Sequence, residues 1–143
     1  MSKDLVKATE ILKSGQYTCV LCKNDVIYNC AQRGVKPLLD WIDSGLSLKD
    51  FSAADKVVGK AAAFLYVILG VKEVYADVMS EGAANVLKEY DIEVHYDKSA
   101  EYIINRAGTG KCPMEDAVWN ISAPSEALTA IRTRLKELKS ANS

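Results

Sequence analysis

The sequence predicts one α/β domain spanning residues 1–143, with an antiparallel hairpin, later parallel strands and helices on both faces of a mixed sheet. Three stretches carry that expectation. Ser52–Gly70, SAADKVVGKAAAFLYVILG, is nearly apolar after Asp55, broken only by Lys56, Lys60 and Tyr66. A helix without a polar face must be covered on every side, which makes this stretch the central helix. Tyr17–Cys22 and Val26–Cys30 are runs of β-formers joined by Lys23-Asn24-Asp25, and Asn and Asp tolerate the left-handed conformations of tight hairpin turns. Val71–Met79, Glu81–Tyr90 and Ile92–Tyr96 alternate strand, helix and strand, a βαβ pattern that implies parallel pairing.

Taken in order, Leu5, Ala8, Ile11 and Leu12 recur at helical spacing before Gly15, which gives a first amphipathic helix. After the hairpin, Arg33-Gly34 leads into a helix over Val35–Ile42 with Pro37 in its first turn, where the missing N–H does no harm. Gly45–Phe51 connects to the central helix. Ser52-Ala-Ala-Asp55 resembles a capping box at its start, and Gly70 supplies a stop. Within such a helix Gly59 costs about 1 kcal/mol against Ala, and Lys60 stands among bulky apolar neighbours. In the strand that follows, Val74, Ala76 and Val78 share one face while Tyr75, Asp77 and Met79 share the other. Tyr102–Arg106 is ambiguous between helix and strand, and a final helix from Ala123 carries Leu128, Ile131, Leu135 and Leu138.

A chain of 143 residues is the size of one domain, able to bury roughly 68–70% of its unfolded surface. Eighteen basic against nineteen acidic residues leave a net charge of −1, so no long-range field draws in nucleic acid or an anionic membrane. The stretch MSKDLVKATEILKSG has no apolar core of a signal peptide, and the central segment, about eighteen residues with charges near its start, is a poor membrane span. A cytoplasmic protein is expected. Cys19 and Cys22 form C-x-x-C, but Val20 and Leu21 between them suggest a strand. Residues three apart on a strand point to opposite faces, so the pair is expected to be buried hydrophobes rather than a metal or redox site.

Three motifs carry a family resemblance: GVKPLL at Gly34–Leu39, DKVVGKAAA at Asp55–Ala63 and CPMED at Cys112–Asp116. With the element order, the chain resembles an uncharacterised bacterial and archaeal family that has a cytidine deaminase-like fold, a three-layer α/β sandwich, but lacks the deaminase zinc motif. The deaminases place His-x-Glu or Cys-x-Glu on the central helix and Pro-Cys-x-x-Cys at the start of the next. The corresponding stretches here are Gly59-Lys60-Ala61 and Ser80-Glu81-Gly82-Ala83. Gly and Ala have no lone pair to offer a metal, the second stretch has no cysteine, and no carboxylate stands at the central-helix position to move protons, so no metal, no cofactor and no zinc-dependent deamination are expected.

Chemistry is sought at Ala107–Asp116, AGTGKCPMED. Gly108 and Gly110 permit close approach to a ligand, and Cys112, Pro113 and Glu115 fit the N-cap, N1 and N3 positions of a helix whose start attracts anions. A phosphate-binding loop ending Gly110-Lys111 fails at two positions, because Asn105 stands for its first Gly and Cys112 for its Ser or Thr. A thiol at a helix start beside Lys111 has a stabilised thiolate, which makes Cys112 the candidate nucleophile; its alternative is a plain cap. His95, the single histidine, is expected on a strand face. Lys60 either pairs structurally or projects into the cleft, with Asp55, Lys56 and Asp77 near the same rim. The ligand-binding set is then Asp55, Lys60, Lys111, Cys112 and Glu115, around a small anion such as a nucleotide. Two alternatives stand: an enzyme acting through Cys112 with Lys60 or Glu115, and a homo-oligomeric interaction domain without a small-molecule site.

Overall fold

The chain folds as α1 (Lys3–Lys13), β1 (Cys19–Lys23), β2 (Val26–Cys30), α2 (Lys36–Asp43), β3 (Ser52–Val58), α3 (Lys60–Leu69), β4 (Glu73–Ser80), α4 (Glu81–Glu89), β5 (Glu93–Ala100), α5 (Pro113–Val118) and α6 (Pro124–Ala141). These elements come from a computed structural model that describes residues 1–32, 34–105 and 107–141. Arg33, before α2, and Arg106, which ends the ambiguous Tyr102–Arg106 stretch, lie outside the described residues.

The five strands form one mixed sheet in the order β2-β1-β3-β4-β5. β1 pairs antiparallel with β2 and β3, whereas β3, β4 and β5 run parallel. The hairpin and the βαβ unit therefore form as the sequence predicts, and Asn24 turns the hairpin with φ of 54°. Because β3, β4 and β5 progress in one direction across the sheet, right-handed crossovers place α3 and α4 on the same face.

The principal correction falls on Ser52–Gly70, which is not one helix. Ser52–Val58 is the central strand β3, Gly59 is the N-cap of α3, and the helix begins only at Lys60. The supposed capping box lies inside the strand. The physical reason is tertiary: Ala53 and Ala54 are completely buried, one on each face, where small side chains let a helix pack closely over the sheet. Sheet pairing on both sides then overrides the helix propensity of alanine.

From Lys60 onward the expected burial is met on most sides, with Ile68 left exposed. Ala61 through Tyr66 and Leu69 are buried, and α3 packs against α2, α4, α5 and α6. Gly70 ends it in the left-handed conformation, its N–H bonded to the carbonyls of Tyr66 and Val67. The opposite face holds a smaller core of Leu5, Ala8 and Leu12 from α1 against Val20, Cys22, Ala54 and Tyr75. Cys19 belongs to the α3-side core and Cys22 to the α1-side core, so the C-x-x-C sulfurs face opposite ways. Met79 departs from strict alternation: the β3–β4 ladder skips Lys56 and Asp77, and beyond the skip Val58 and Met79 join the α3-side core. Among the described residues no helix is long and apolar enough to cross a membrane.

Gly70→Ala should destabilise the domain, because φ of +86° is strained for any L side chain and the new Cβ would meet Lys49 Cα at 3.3 Å. A loss of about 1–2 kcal/mol is expected in urea denaturation; an unchanged midpoint would remove the left-handed cap from the account.

Candidate functional site

Where β3 ends, Gly59 turns the chain from strand into α3 with its first-turn N–H groups facing outward. The N-terminus of a helix carries partial positive charge and unpaired donors, so it attracts an anion. That anion is part of the chain. Glu115 of α5, only 2% exposed, receives the Lys60 N–H on Oε1 at 2.5 Å and the Ile103 N–H on Oε2 at 2.9 Å. A Cβ on Gly59 would lie 2.8 Å from that Oε1 and 2.9 Å from Ile103 Cγ1. Glycine at 59 is thus the condition for Glu115 to approach the helix.

Lys60 extends from the same turn. Its stem lies over Gly82 in the first turn of α4, where a glycine Cβ would stand 3.5 Å from Lys60 Cδ. Its ammonium donates to the Trp119 carbonyl at 3.0 Å and sits 5.7 Å from the centre of the Phe64 ring. The α4 start is capped by Ser80, whose hydroxyl accepts the Ala83 N–H at 3.1 Å. Two helix N-termini thus open together at the carboxyl ends of β3 and β4, bridged by one cation.

Residues 101–105 and 107–119 close over this end. Lys111 Nζ lies 4.2 Å from the centre of the Trp119 indole and 5.4 Å from that of the Tyr102 ring, and those two rings meet edge to face at 6.3 Å. Cys112 is the N-cap of α5 with Pro113 behind it, as its sequence suggests, but its side chain caps nothing; its N–H donates to the Ile103 carbonyl at 2.7 Å. The glycine-containing turn is tied to itself: the Asn105 side chain accepts the Thr109 N–H and donates to the Thr109 hydroxyl, both at 3.1 Å. α5 is fixed to α6 by Arg134, which donates to the Pro113 carbonyl at 2.7 Å and reaches Asp116 at 3.3 Å.

The structure therefore brings Lys60, Lys111, Cys112 and Glu115 to one end of the sheet, with Trp119 between the two lysines. Asp55 stands apart from them. It lies on β3 rather than on a helix, and its carboxylate accepts the Tyr66 hydroxyl at 2.7 Å. Tyr66 in turn meets Cys19 Sγ at 3.0 Å. Lys56 and Asp77 are on the other face, lining a groove of about 570 Å³ with Leu12 and Lys13, so the three do not share a rim with Lys60. A second groove, of about 350 Å³, lies between the end of β2 and α2, lined by Cys30, Gln32, Pro37 and Trp41 among others.

Burial is the main cause of the altered acidities along the Asp55–Tyr66–Cys19 chain. Desolvation pushes Asp55 up to about 6 against the opposing hydrogen bond from Tyr66. Desolvation first, then the Asp55 charge, raises both Tyr66 and Cys19 well above their usual values. Tyr66 is visible in the sequence as the one phenol in an apolar run, but nothing there reveals its partners. Glu73 is the other acid the sequence does not single out: buried at the start of β4, it accepts hydrogen bonds from Ser52 at 2.7 Å and from Ser2.

A mixed five-stranded α/β domain with a self-occupied anion position defines the class. The model of the family described as "TM1506: Domain of unknown function (DUF1893)" matches residues 7–135, and the chain belongs to that family. It is similar to a crystal structure of a DUF1893 family protein (TM1506) from Thermotoga maritima at 2.70 Å resolution, with 25% identity, a TM-score of 0.83 and coverage of 96% of this chain and 92% of that one. No curated protein matches the chain.

Glu115→Gln removes the charge and turns an amide N–H₂ toward a backbone donor, leaving one buried N–H unpaired. The expected loss in denaturant titrations is about 1–3 kcal/mol, and wild-type stability in the variant would show that the carboxylate is dispensable.

Asp55 makes stability depend on pH in a defined direction. Its folded acidity near 6, against 3.8 for the free side chain, means that the folded state binds more protons between those values. Stability from this group is therefore fully present below about pH 4 and lost as pH rises through 6, by about 3 kcal/mol at most and less for a partly exposed carboxylate. Asp55→Asn should flatten this fall when unfolding free energies of variant and wild type are compared from pH 4 to 7. Parallel profiles would contradict it.

Proposed function

We propose that the chain is a member of the cytidine deaminase-like fold without the deaminase zinc site, and that it binds a small anion, of the nucleotide class, where β3 and β4 hand over to α3 and α4. The observation that carries this reading is the buried Glu115 carboxylate on the Lys60 N–H, a negative charge held at the N-terminus of a ten-residue helix. The strand order β2-β1-β3-β4-β5, with only β1 and β2 forming an antiparallel hairpin, supports the fold assignment. So does the start of α3: Gly59-Lys60-Ala61 falls at the first turn of the helix after β3, and Ser80–Ala83 at the first turn after β4. In deaminases those two turns carry the zinc ligands and the proton-shuttling Glu.

Residues here do not fit that metal. Gly59, Ala61, Gly82 and Ala83 have no side-chain donor, Ser80 already caps α4, Glu81 is a single exposed carboxylate in place of two cysteines, and Lys60 brings a cation into the space. The cation and the two helix N-termini suit an anion instead. Incoming phosphate or carboxylate takes the place of Glu115 as α5 lifts, with Lys60 pairing to it and Lys111 at the margin. The helix start at Pro113 adds little, because α5 is only six residues long. An enzyme reading through Cys112 lacks comparable support, since among the described residues its sulfur has no hydrogen-bonded base.

Lys60→Met keeps the stem over Gly82 and removes the charge. The variant should fold, while its affinity for a nucleoside monophosphate measured by calorimetry falls by about 1.5–3 kcal/mol, one charge-assisted hydrogen bond. Equal affinity in Lys60→Met and wild type, or no binding of phosphate or nucleotide to wild type, would sink the reading.

A further inference from the structure

At the amino-terminal end of the parallel strands, opposite the anion position, a second cluster gathers on the α1 side of the sheet. Glu73 begins β4 and Glu93 begins β5, directly opposite it in register, and His95 follows two residues on, opposite Tyr75. Residues two apart on a strand share a face, so both β5 side chains lie beside Glu73. One ligand atom from each of the three lies within 4.8 Å of the others.

His95 is the informative member. Its side chain is 27% exposed, yet the Nε2 atom itself is buried and has no hydrogen-bond partner. Glu93 Oε2 is 3.6 Å away, too far for a hydrogen bond. A buried ring nitrogen without a partner is costly and points to an unseen ion or water. Two donors on one tetrahedral zinc, each at about 2.0–2.2 Å, stand roughly 3.4 Å apart, against 3.6 Å for His95 and Glu93 and no more than 4.8 Å for either to Glu73.

The other residues prepare a ligand set of this kind. Glu73 is 2% exposed, and its Oε2 is oriented by the hydroxyls of Ser2 and Ser52, the outer-shell support that fixes a metal-binding carboxylate. Oε1 receives only the Ser2 N–H at 3.3 Å, which leaves it a lone pair for a further partner. Glu93 is exposed, with 63% of its side chain in solvent, so an ion can enter and keep water on its remaining positions. The cation already near is Lys72, whose ammonium is 4.0 Å from Glu73 and 45% exposed, free to retreat into solvent.

We propose that Glu73, Glu93 and His95 bind a divalent transition-metal ion of the zinc type, completed by water. Two carboxylates and a neutral imidazole suit Zn²⁺ or Co²⁺ better than Ca²⁺ or Mg²⁺, which take oxygen alone. The ion joins β5, an edge strand, to β4 and through Glu73 to the start of α1.

The test uses the full chain after chelator treatment, with the partly exposed Cys30 and Cys112 alkylated under native conditions so that their thiols do not compete. Cys19 and Cys22 are buried in the cores. His95 is the single histidine, and its imidazole ¹⁵N resonances report the site without assignment. One equivalent of Zn²⁺ should shift the Nε2 resonance and saturate. In calorimetry, Glu93→Gln and His95→Gln should each weaken Zn²⁺ binding by at least about tenfold. Both replace partly exposed side chains, and circular dichroism checks that they fold. Imidazole resonances unmoved at millimolar Zn²⁺, or equal Zn²⁺ affinity in wild type and His95→Gln, would overturn the site.

Discussion

Glu115 receives hydrogen bonds from backbone groups 12 and 55 residues away, and the carboxyl end of the sheet is organised by that pair. The Lys60 and Ile103 N–H groups are partly withdrawn from water, so each gains from a fixed acceptor. Glu115 supplies both, and the charge gains from the dipole of α3. In return the geometry fixes residue 59 as glycine, for any side chain there would strike the carboxylate. Arg134 then carries the restraint from α5 into α6. The start of the central helix, the 101–119 segment and the C-terminal helix are held by one carboxylate.

The centre of the domain obeys a different constraint. α3 is buried on nearly all sides, so Tyr66, the polar group it carries inward, has to be satisfied from within. Asp55 on β3 accepts its proton and Cys19 on β1 contacts its oxygen, residues that face each other in the β1–β3 register. The arrangement satisfies the phenol but leaves a carboxylate where water is scarce, and the raised acidity of Asp55 is the consequence. Packing here is bought at the expense of a pH-sensitive acid.

How much of this the sequence discloses depends on the range of the interaction. The hairpin, the βαβ unit, α1, the Gly70 stop and the placement of Cys112, Pro113 and Glu115 at the start of α5 are all legible, because hydrophobic period and turn chemistry are local. Ser52–Val58 is misleading for the opposite reason: Ser-Ala-Ala-Asp has helical chemistry, and only pairing with β1 and β4 makes it a strand. A clue was present in Val57-Val58-Gly59-Lys60, two β-branched residues and a glycine, which is how a strand commonly passes into a helix. Gly59 looked costly inside a helix because it is not inside one.

Among candidate residues, Lys60 is visible as a charge among apolar neighbours and Glu115 as the N3 residue of a helix start, but the sequence does not disclose that one bonds the backbone of the other. Asp55 is expected at the rim with Lys60, but it lies on β3, and the strand directs it toward Tyr66 instead. The Glu73, Glu93 and His95 cluster is spread over two strands and has no motif spacing at all. Such sites become apparent only once the register Glu73 to Glu93 is fixed.

The central claim, that Glu115 holds the start of α3 and the 101–119 segment as one unit, is tested most directly by native-state hydrogen exchange of wild-type protein. The Lys60 and Ile103 amides should exchange slowly and with one common opening free energy, that of lifting α5. Exchange of both at the rate of an exposed loop, or at two unrelated rates, would contradict the claim.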